Sequence, residues 1–209
     1  MPFIFITFIV FVLWVRVKIK QSNKQNSTWD DDFWSREQEA NFVRKKDISN
    51  LDYIQITEKD LPFSDTATGE EKRYQDQVRS FLDKKMINLS GMTNTDIKLA
   101  YGTANFPILS EYDQNFTVFV RNLVFWGKYL HKSMPEEDGR ARQILEYAVS
   151  LGSDITDNYV LLADIYLQKH ETEKIRQLTE HVEQSDFFMK NSILNQLSQM
   201  IEREHGPGD

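Results

Sequence analysis

Four histidines are the residues whose type best suits metal ligation or acid–base chemistry: His131, His170, His181 and His205. None of them belongs to a His-Glu-x-x-His motif, and His170 and His181 are eleven positions apart on different predicted helices or their connection. A metal site needs three or four converging ligands, which this spacing does not supply. We therefore expect no histidine metal site.

Other sequence signatures of catalysis are missing as well. There is no glycine-rich phosphate loop, no Gly-x-Ser-x-Gly elbow and no protein-kinase signature. The chain has no cysteine, which excludes thiol nucleophiles, disulfides and cysteine-ligated zinc. We expect no enzymatic activity and no cofactor, and we leave open an enzyme whose catalytic carboxylates are dispersed along the chain.

Composition points to long helices. Apolar residues make up 40% of the 209 residues, enough for a packed core, while five prolines and eight glycines are few for a turn-rich β protein. The formal net charge is −7, and it becomes −10 for residues 21–209 once the three cations of residues 16–20 are removed. Because residues 21–209 are this acidic, phosphate backbones repel them, and we expect no nucleic-acid partner.

The first twenty residues predict a transmembrane anchor. Residues 2–15 carry no charge, and Thr7 is their only polar side chain. As a helix the segment through Ile19 rises about 27 Å, close to the thickness of a bilayer core. A cleaved signal peptide would need cations before the apolar run and a small-residue site after it, and a helix of a soluble core would need a polar face. The cations at Arg16, Lys18 and Lys20 follow the run, which predicts a single-pass protein of the cell membrane with its C-terminal body in the cytoplasm.

The rest of the chain divides by composition into four regions. Residues 21–28 predict a polar linker. Residues 29–107 predict a helical and irregular region that packs on a helical repeat domain at 108–204, and residues 205–209 a disordered tail. We expect the bulky residues Trp29, Phe33 and Trp34 to pack on the domain, although they could instead dip into the membrane interface.

Apolar periodicity predicts the main helices. Apolar residues recur at three- and four-residue steps over 70–89, which predicts an amphipathic helix there. The segment TNTDIKLAYG has a Thr/Asn start and ends at Gly102, which predicts a second, short helix. The longest stripe runs from Tyr112 to Leu130, and Ser110 with Asp113 resembles its capping pair. The proline at 107 disfavours helix at Phe106. A last amphipathic helix over 186–203 would close the stack.

A repeat of about 34 residues emerges when two segments are aligned. Leu123, Trp126, Gly127 and Leu130 match residues 36 positions later, and Ala141 and Ala148 match residues 34 positions later. Small residues at 127 and 163 would let the two helices of a hairpin approach closely. The pattern resembles the tetratricopeptide repeat over about residues 112–184, whereas Ile175 and Val182 depart from its small positions. A generic pair of antiparallel helical hairpins is the alternative.

The segments WSREQEANFVRKKDISNLDYI and EYDQNF are similar to membrane-anchored proteins of Gram-positive anaerobic bacteria that have no known activity. This resemblance implies an anchored helical domain. It implies nothing about a reaction.

The repeat resemblance implies a shallow groove lined by the first helix of each hairpin. The expected groove residues have both charge signs and some apolar surface: Arg121, Val124, Lys128, His131, Asp157, Val160, Asp164 and Leu167. We expect a scaffold or adaptor that binds an unidentified protein or peptide at the membrane. The alternative is a structural subunit of a larger membrane assembly, whose groove is permanently filled by a partner or by residues 29–63.

Overall fold

The computed structural model describes residues 32–205 together with Phe11, Trp14, Val15 and Lys18, and for residues 203–205 it describes the backbone alone. Apart from those four residues, the predicted anchor at 1–20 lies outside the described residues. So do the predicted linker at 21–28, Trp29, and the tail after residue 205. No helix of the described part is long and apolar enough to span a bilayer.

The described residues form eight α-helices and no strand, with one isolated bridge between Ile54 and Met86. The expected all-α class is confirmed for this part of the chain. The chain divides into two compact units: Met1–Ser49 with Met92–Phe106, and Asn50–Gly91 with Pro107–Asp209.

From residue 32 onward, the described part of the first unit holds two α-helices, α1 over residues 32–42 and α3 at Asn94–Tyr101. Thr93 caps α3, with its hydroxyl accepting from the backbone N–H of Asp96, and Gly102 ends it at φ 89°. Start and end are those that the sequence predicts. Gly102 is required on two counts: its φ is positive, and a Cβ there would overlap the carbonyl of Arg44.

Polar contacts hold α1 against α3. Glu37 pairs with Lys98 and accepts a 2.6 Å hydrogen bond from the hydroxyl of Thr95, while Arg36 pairs with Asp96 at 2.9 Å. Burial on α1 is confined to Ala40. In the described part of the unit, the contacts between α1 and α3 are therefore mainly polar.

Phe33 and Trp34, which we expected to pack on the domain, are exposed where the first unit is described by itself. Their side chains are 55% and 66% exposed, as is 84% of Phe42 at the end of the same helix.

Five successive helices and α2 build the second unit. Their bounds are α2 Gly69–Arg79, α4 Phe106–Ser133, α5 Asp138–Ser150, α6 Thr156–Gln168, α7 Thr172–Gln184 and α8 Lys190–His205. Helix α6 is central, since it contacts α5, α7 and α8. Nearly all of its apolar residues are buried, whereas α7 buries one stripe and leaves a charged face outside.

A glycine sets the close packing of α4 against α5. A Cβ at Gly127 would lie 2.8 Å from both Cγ and Cδ2 of Leu145, which is fully buried, and 3.5 Å from the carbonyl oxygen of Ala141. The sequence-based expectation that this small residue permits close approach within the hairpin therefore matches the geometry at Gly127.

Residues 50–91 pack against one side of α4 and α5. Phe63 stacks on Trp126 with ring centroids 5.3 Å apart, Tyr74 lies 5.3 Å from Tyr129, and Arg140 donates to the carbonyl oxygen of Pro62 at 3.0 Å. These contacts give α4 a covered side.

The helix expected at 70–89 is shorter than the periodicity suggests. Helix α2 ends at Arg79, turns follow, and Met86 pairs with Ile54 through the hydrogen bond from the N–H of Ile54. Met86 and Leu89 are buried, but from extended backbone. Their spacing matched a helix by coincidence, because a partner segment distant in sequence decides their conformation.

The start of α4 also differs from expectation. Phe106 is helical, with φ −54° and ψ −47°, and Pro107 occupies the first turn. In a first turn the missing N–H of proline costs no hydrogen bond, so Pro107 itself is tolerated there, and Phe106 is helical in spite of the pre-proline restriction. Ser110 is inside the helix, and the carboxylate of Asp113 accepts from the N–H of Leu89 at 2.9 Å instead of capping.

Candidate functional site

The expected groove residues lie on α4 and α6, and side-chain contacts between Lys128 and Asp157 and between His131 and Asp164 define the seam between these two helices. Helix α4 supplies Arg121, Val124, Lys128 and His131, and α6 supplies Asp157, Val160, Asp164 and Leu167. The order of contacts along the seam is parallel, since Lys128 meets Asp157 at 2.8 Å, and His131, three residues later on α4, meets Asp164, seven residues later on α6.

A buried histidine ties three helices together at the C-terminal end of this seam. The Nδ1 atom of His131 lies 2.7 Å from a carboxylate oxygen of Asp138, at the start of α5, and its Nε2 atom 2.8 Å from Asp164 on α6. The side chain of His131 is only 2% exposed. A neutral imidazole has a single N–H, so the protonated ring alone can donate to both carboxylates.

Asp164 is held ionised by its neighbours. Burial acts to raise the pKa of this carboxyl, but hydrogen bonds and charge from Lys132 and His131 outweigh burial and lower the pKa below its ordinary value. Lys132 reaches the same carboxylate oxygen at 2.9 Å. The three groups satisfy one another and so leave little charge for an outside ligand.

The apolar members of the predicted groove offer little surface. Val124 is buried at 2% exposure, and Val160 and Leu167 are half-buried. Lys128 and Asp157 neutralise each other across the seam. Of the eight residues, Arg121 is therefore the one that combines exposure with the absence of an ion pair among the described residues.

At Arg121 the seam opens into a cavity of about 400 Å³, which we call the Arg121 cleft. Its walls come from α4 and from the loop before α6. Its main lining residues are Ser90, Phe116, Val120, Arg121, Phe125 and Asp154. Phe125 is 47% exposed, whereas Phe116 and Val120 are nearly buried at its floor. The cleft thus offers an apolar floor, an exposed ring and a cation.

A second cavity of about 540 Å³ adjoins the first and shares Ser90 and Asp154 with it. We call it the Phe188 cleft. Its lining also includes Asn88, Gly152, Asp186 and Phe188. Phe188 is 97% exposed. The two clefts form one surface at the end of the second unit.

Most of these residues were missed by the sequence analysis. Phe116 and Val120 belong to the stripe along α4 and look like ordinary core residues, while Asp154 and Phe188 lie in loops without periodicity. The available signals were Gly91 and Gly152, which adopt φ 87° and 85° in the loops that line the Phe188 cleft.

Other charged clusters in the second unit have structural partners. Arg142 bridges Glu146 and Glu171 at 2.9 Å each, and Tyr166 donates to Glu146 at 2.8 Å. Burial, with a smaller effect from that carboxylate, raises the pKa of Tyr166 far above its ordinary value. Across residues 32–202 and the four described residues near the N-terminus, no group of three His, Asp or Glu side chains could hold a metal ion.

No protein-family model, no curated protein sequence and no solved structure matches this chain.

Proposed function

We propose that this protein is an interaction module that binds a partner polypeptide in the Arg121 cleft. The observation that carries the proposal is the contrast along the α4–α6 seam: its other charges are paired within the chain, while Arg121 and the exposed ring of Phe125 flank an apolar cavity without a partner in the described residues. Such a cleft suits an apolar side chain with an acidic group beside it.

The proposal keeps the tetratricopeptide-like interpretation of α4–α5 and α6–α7 as two hairpins closed by α8. The close approach at Gly127 and the parallel contacts between α4 and α6 support it, because stacked hairpins of this kind place their first helices side by side. Two hairpins offer a small surface, so we expect a dissociation constant of about 1–100 μM.

The alternative is a structural subunit whose groove is permanently filled. Residues 51–63 do not support self-occupation, because Phe63 contacts Trp126. Trp126 and Lys128 are two positions apart on α4, so their side chains point about 160° away from each other. A permanently bound partner chain, or residues 29–50 of this chain, remains as the form that this alternative takes, and an enzyme with dispersed carboxylates has no observation in its favour.

Location completes the proposal. We propose a single-pass anchor at residues 1–20 in the cell membrane, with the body in the cytoplasm, on the charge and hydropathy of the sequence. Protease added to spheroplasts should leave the body intact, and recovery of a soluble form lacking residues 1–20 would refute the anchor.

The test of the cleft is co-purification from detergent-solubilised membranes with matched variants. Arg121→Glu and Phe125→Ser change residues of the cleft, and Lys169→Glu and Ile108→Ser are their exposed controls elsewhere in the second unit. We expect a specific partner to be lost from both cleft variants and kept by both controls. A partner set that is identical in all four variants would refute the proposal.

The same experiment separates the two alternatives. A transient partner should leave the complex on dilution or washing within minutes, as expected for about micromolar affinity. A stoichiometric partner that persists through washing and whose removal unfolds the chain would favour the structural-subunit alternative.

A further inference from the structure

The Phe188 cleft differs in charge from its neighbour. Among the described residues that line it, the charged ones are Asp154 and Asp186. Both carboxylates are exposed, and neither has an ion pair among the residues that the structure describes. On the adjoining seam, by contrast, Asp157 and Asp164 are each neutralised by a cation of α4.

Aromatic rings stand beside these two carboxylates. Phe188 is 97% exposed, so its ring faces solvent. Phe187 is held in place by Tyr159, whose ring centroid is 6.0 Å away. Exposed ring faces next to unpaired carboxylates attract a cation by two independent effects, the cation–π interaction and simple charge attraction.

The loop walls of the cleft are already set in the free protein. Asn88 donates to the carbonyl oxygen of Leu151 at 3.3 Å and accepts from the N–H of Ser90 at 2.9 Å. A Cβ at Gly152 would lie 2.8 Å from the amide nitrogen of Asn88, so the two loops are in close contact. A preformed wall lowers the ordering cost of binding.

We infer that the Phe188 cleft binds a lysine or arginine side chain of the partner polypeptide, placed between the carboxylates of Asp154 and Asp186 and the ring of Phe188. An apolar residue of the same segment would then enter the Arg121 cleft, since both cavities share Ser90 and Asp154. This inference rests on the proposed function and adds the chemistry of the partner: a basic residue close in sequence to an apolar one. The net charge of −10 over residues 21–209 favours such a partner at long range too.

The test uses a random peptide library displayed on phage, selected on the full chain purified in mild detergent. The variant is Asp154→Asn/Asp186→Asn. Its control, Asp52→Asn/Asp83→Asn, removes the same charge from two exposed positions of the second unit that line neither cleft. Peptides enriched on the wild type are then synthesised with a fluorescent label, and their binding is measured by anisotropy.

We expect the wild type to enrich peptides with a lysine or arginine near a bulky apolar residue. The Asp154→Asn/Asp186→Asn variant should bind them about tenfold more weakly, and the control within about twofold, because both lose equal net charge but only one loses the site. Replacing the basic residue of the peptide by glutamine should produce the same loss, and the two losses should not add.

Four results would overturn the inference. Enriched peptides without a basic residue would refute it while leaving the proposed function in place, provided that Arg121→Glu or Phe125→Ser still weakens them. Equal weakening by the control pair would show attraction by net charge alone. If no peptide is enriched, or if the enriched sequence matches residues 16–20 of the chain itself, a partner segment of this chemistry is not what the cleft binds.

Discussion

The contact of Gly127 with Leu145 predicts how α4 and α5 respond to a single methyl group. In Gly127→Ala the new Cβ would lie 2.8 Å from Cγ and Cδ2 of a fully buried leucine. Overpacking of this kind costs about 1–3 kcal/mol in the free energy of unfolding. The higher helix propensity of alanine returns about 1 kcal/mol. We therefore expect a net destabilisation of about 0–2 kcal/mol.

A glycine of the same hairpin provides the control. Gly139, near the start of α5, has no atom within 4 Å of a built Cβ. Gly139→Ala should therefore stabilise the protein by up to about 1 kcal/mol through helix propensity and the reduced entropy of the unfolded chain. The difference between the two variants isolates the packing cost, since both gain a similar propensity contribution.

The assay is urea unfolding of the full chain in mild detergent, monitored by circular dichroism. The free energies of unfolding of the variants are compared where their m-values are equal. A double variant sharpens it. Leu145→Ala alone should cost about 2–5 kcal/mol, and it removes both atoms that the new methyl group would meet. On that background Gly127→Ala should stabilise, so its effect changes sign. If Gly127→Ala stabilises as much as Gly139→Ala in both backgrounds, then α4 and α5 do not approach as closely as the structure places them.

The remaining predictions concern charges and one turn. The pKa of Asp164 is lowered in the folded protein, so its stabilising contribution is complete above the ordinary carboxyl pKa and is lost as pH falls through the lowered value. In Asp164→Asn the urea midpoint should therefore fall less steeply between neutral and acidic pH. A pH dependence equal to that of the wild type would contradict this. Lys128→Ala removes a half-exposed pair with Asp157 and should cost less than about 1 kcal/mol by the same assay, so a larger loss would show that the seam depends on this pair. Gly102→Ala would combine a positive φ with overlap on the carbonyl of Arg44; amide hydrogen exchange in residues 94–106 should rise severalfold, whereas unchanged protection would refute the turn geometry.

The sequence predicts local structure well where the signal is itself local. The ends of α3 follow from a capping threonine and a glycine with positive φ, and both act on their own neighbours. The close approach of α4 and α5 follows from Gly127 because a missing side chain is visible in the sequence. The same reasoning fails at Phe106 and Met86, where the position of a proline in the first turn and a partner segment decide the outcome.

The sequence by itself determined that the chain is helical, acidic and free of cysteine chemistry, because composition and apolar periodicity do not depend on contacts between distant segments. It also placed Lys128, His131, Asp157 and Asp164 on two neighbouring helices. Tertiary structure alone decided that these charges neutralise each other, which depends on the distance between helices. It decided likewise that Arg121 and Asp154 remain unpaired beside two clefts, since loops that are far apart in the sequence meet there only after folding.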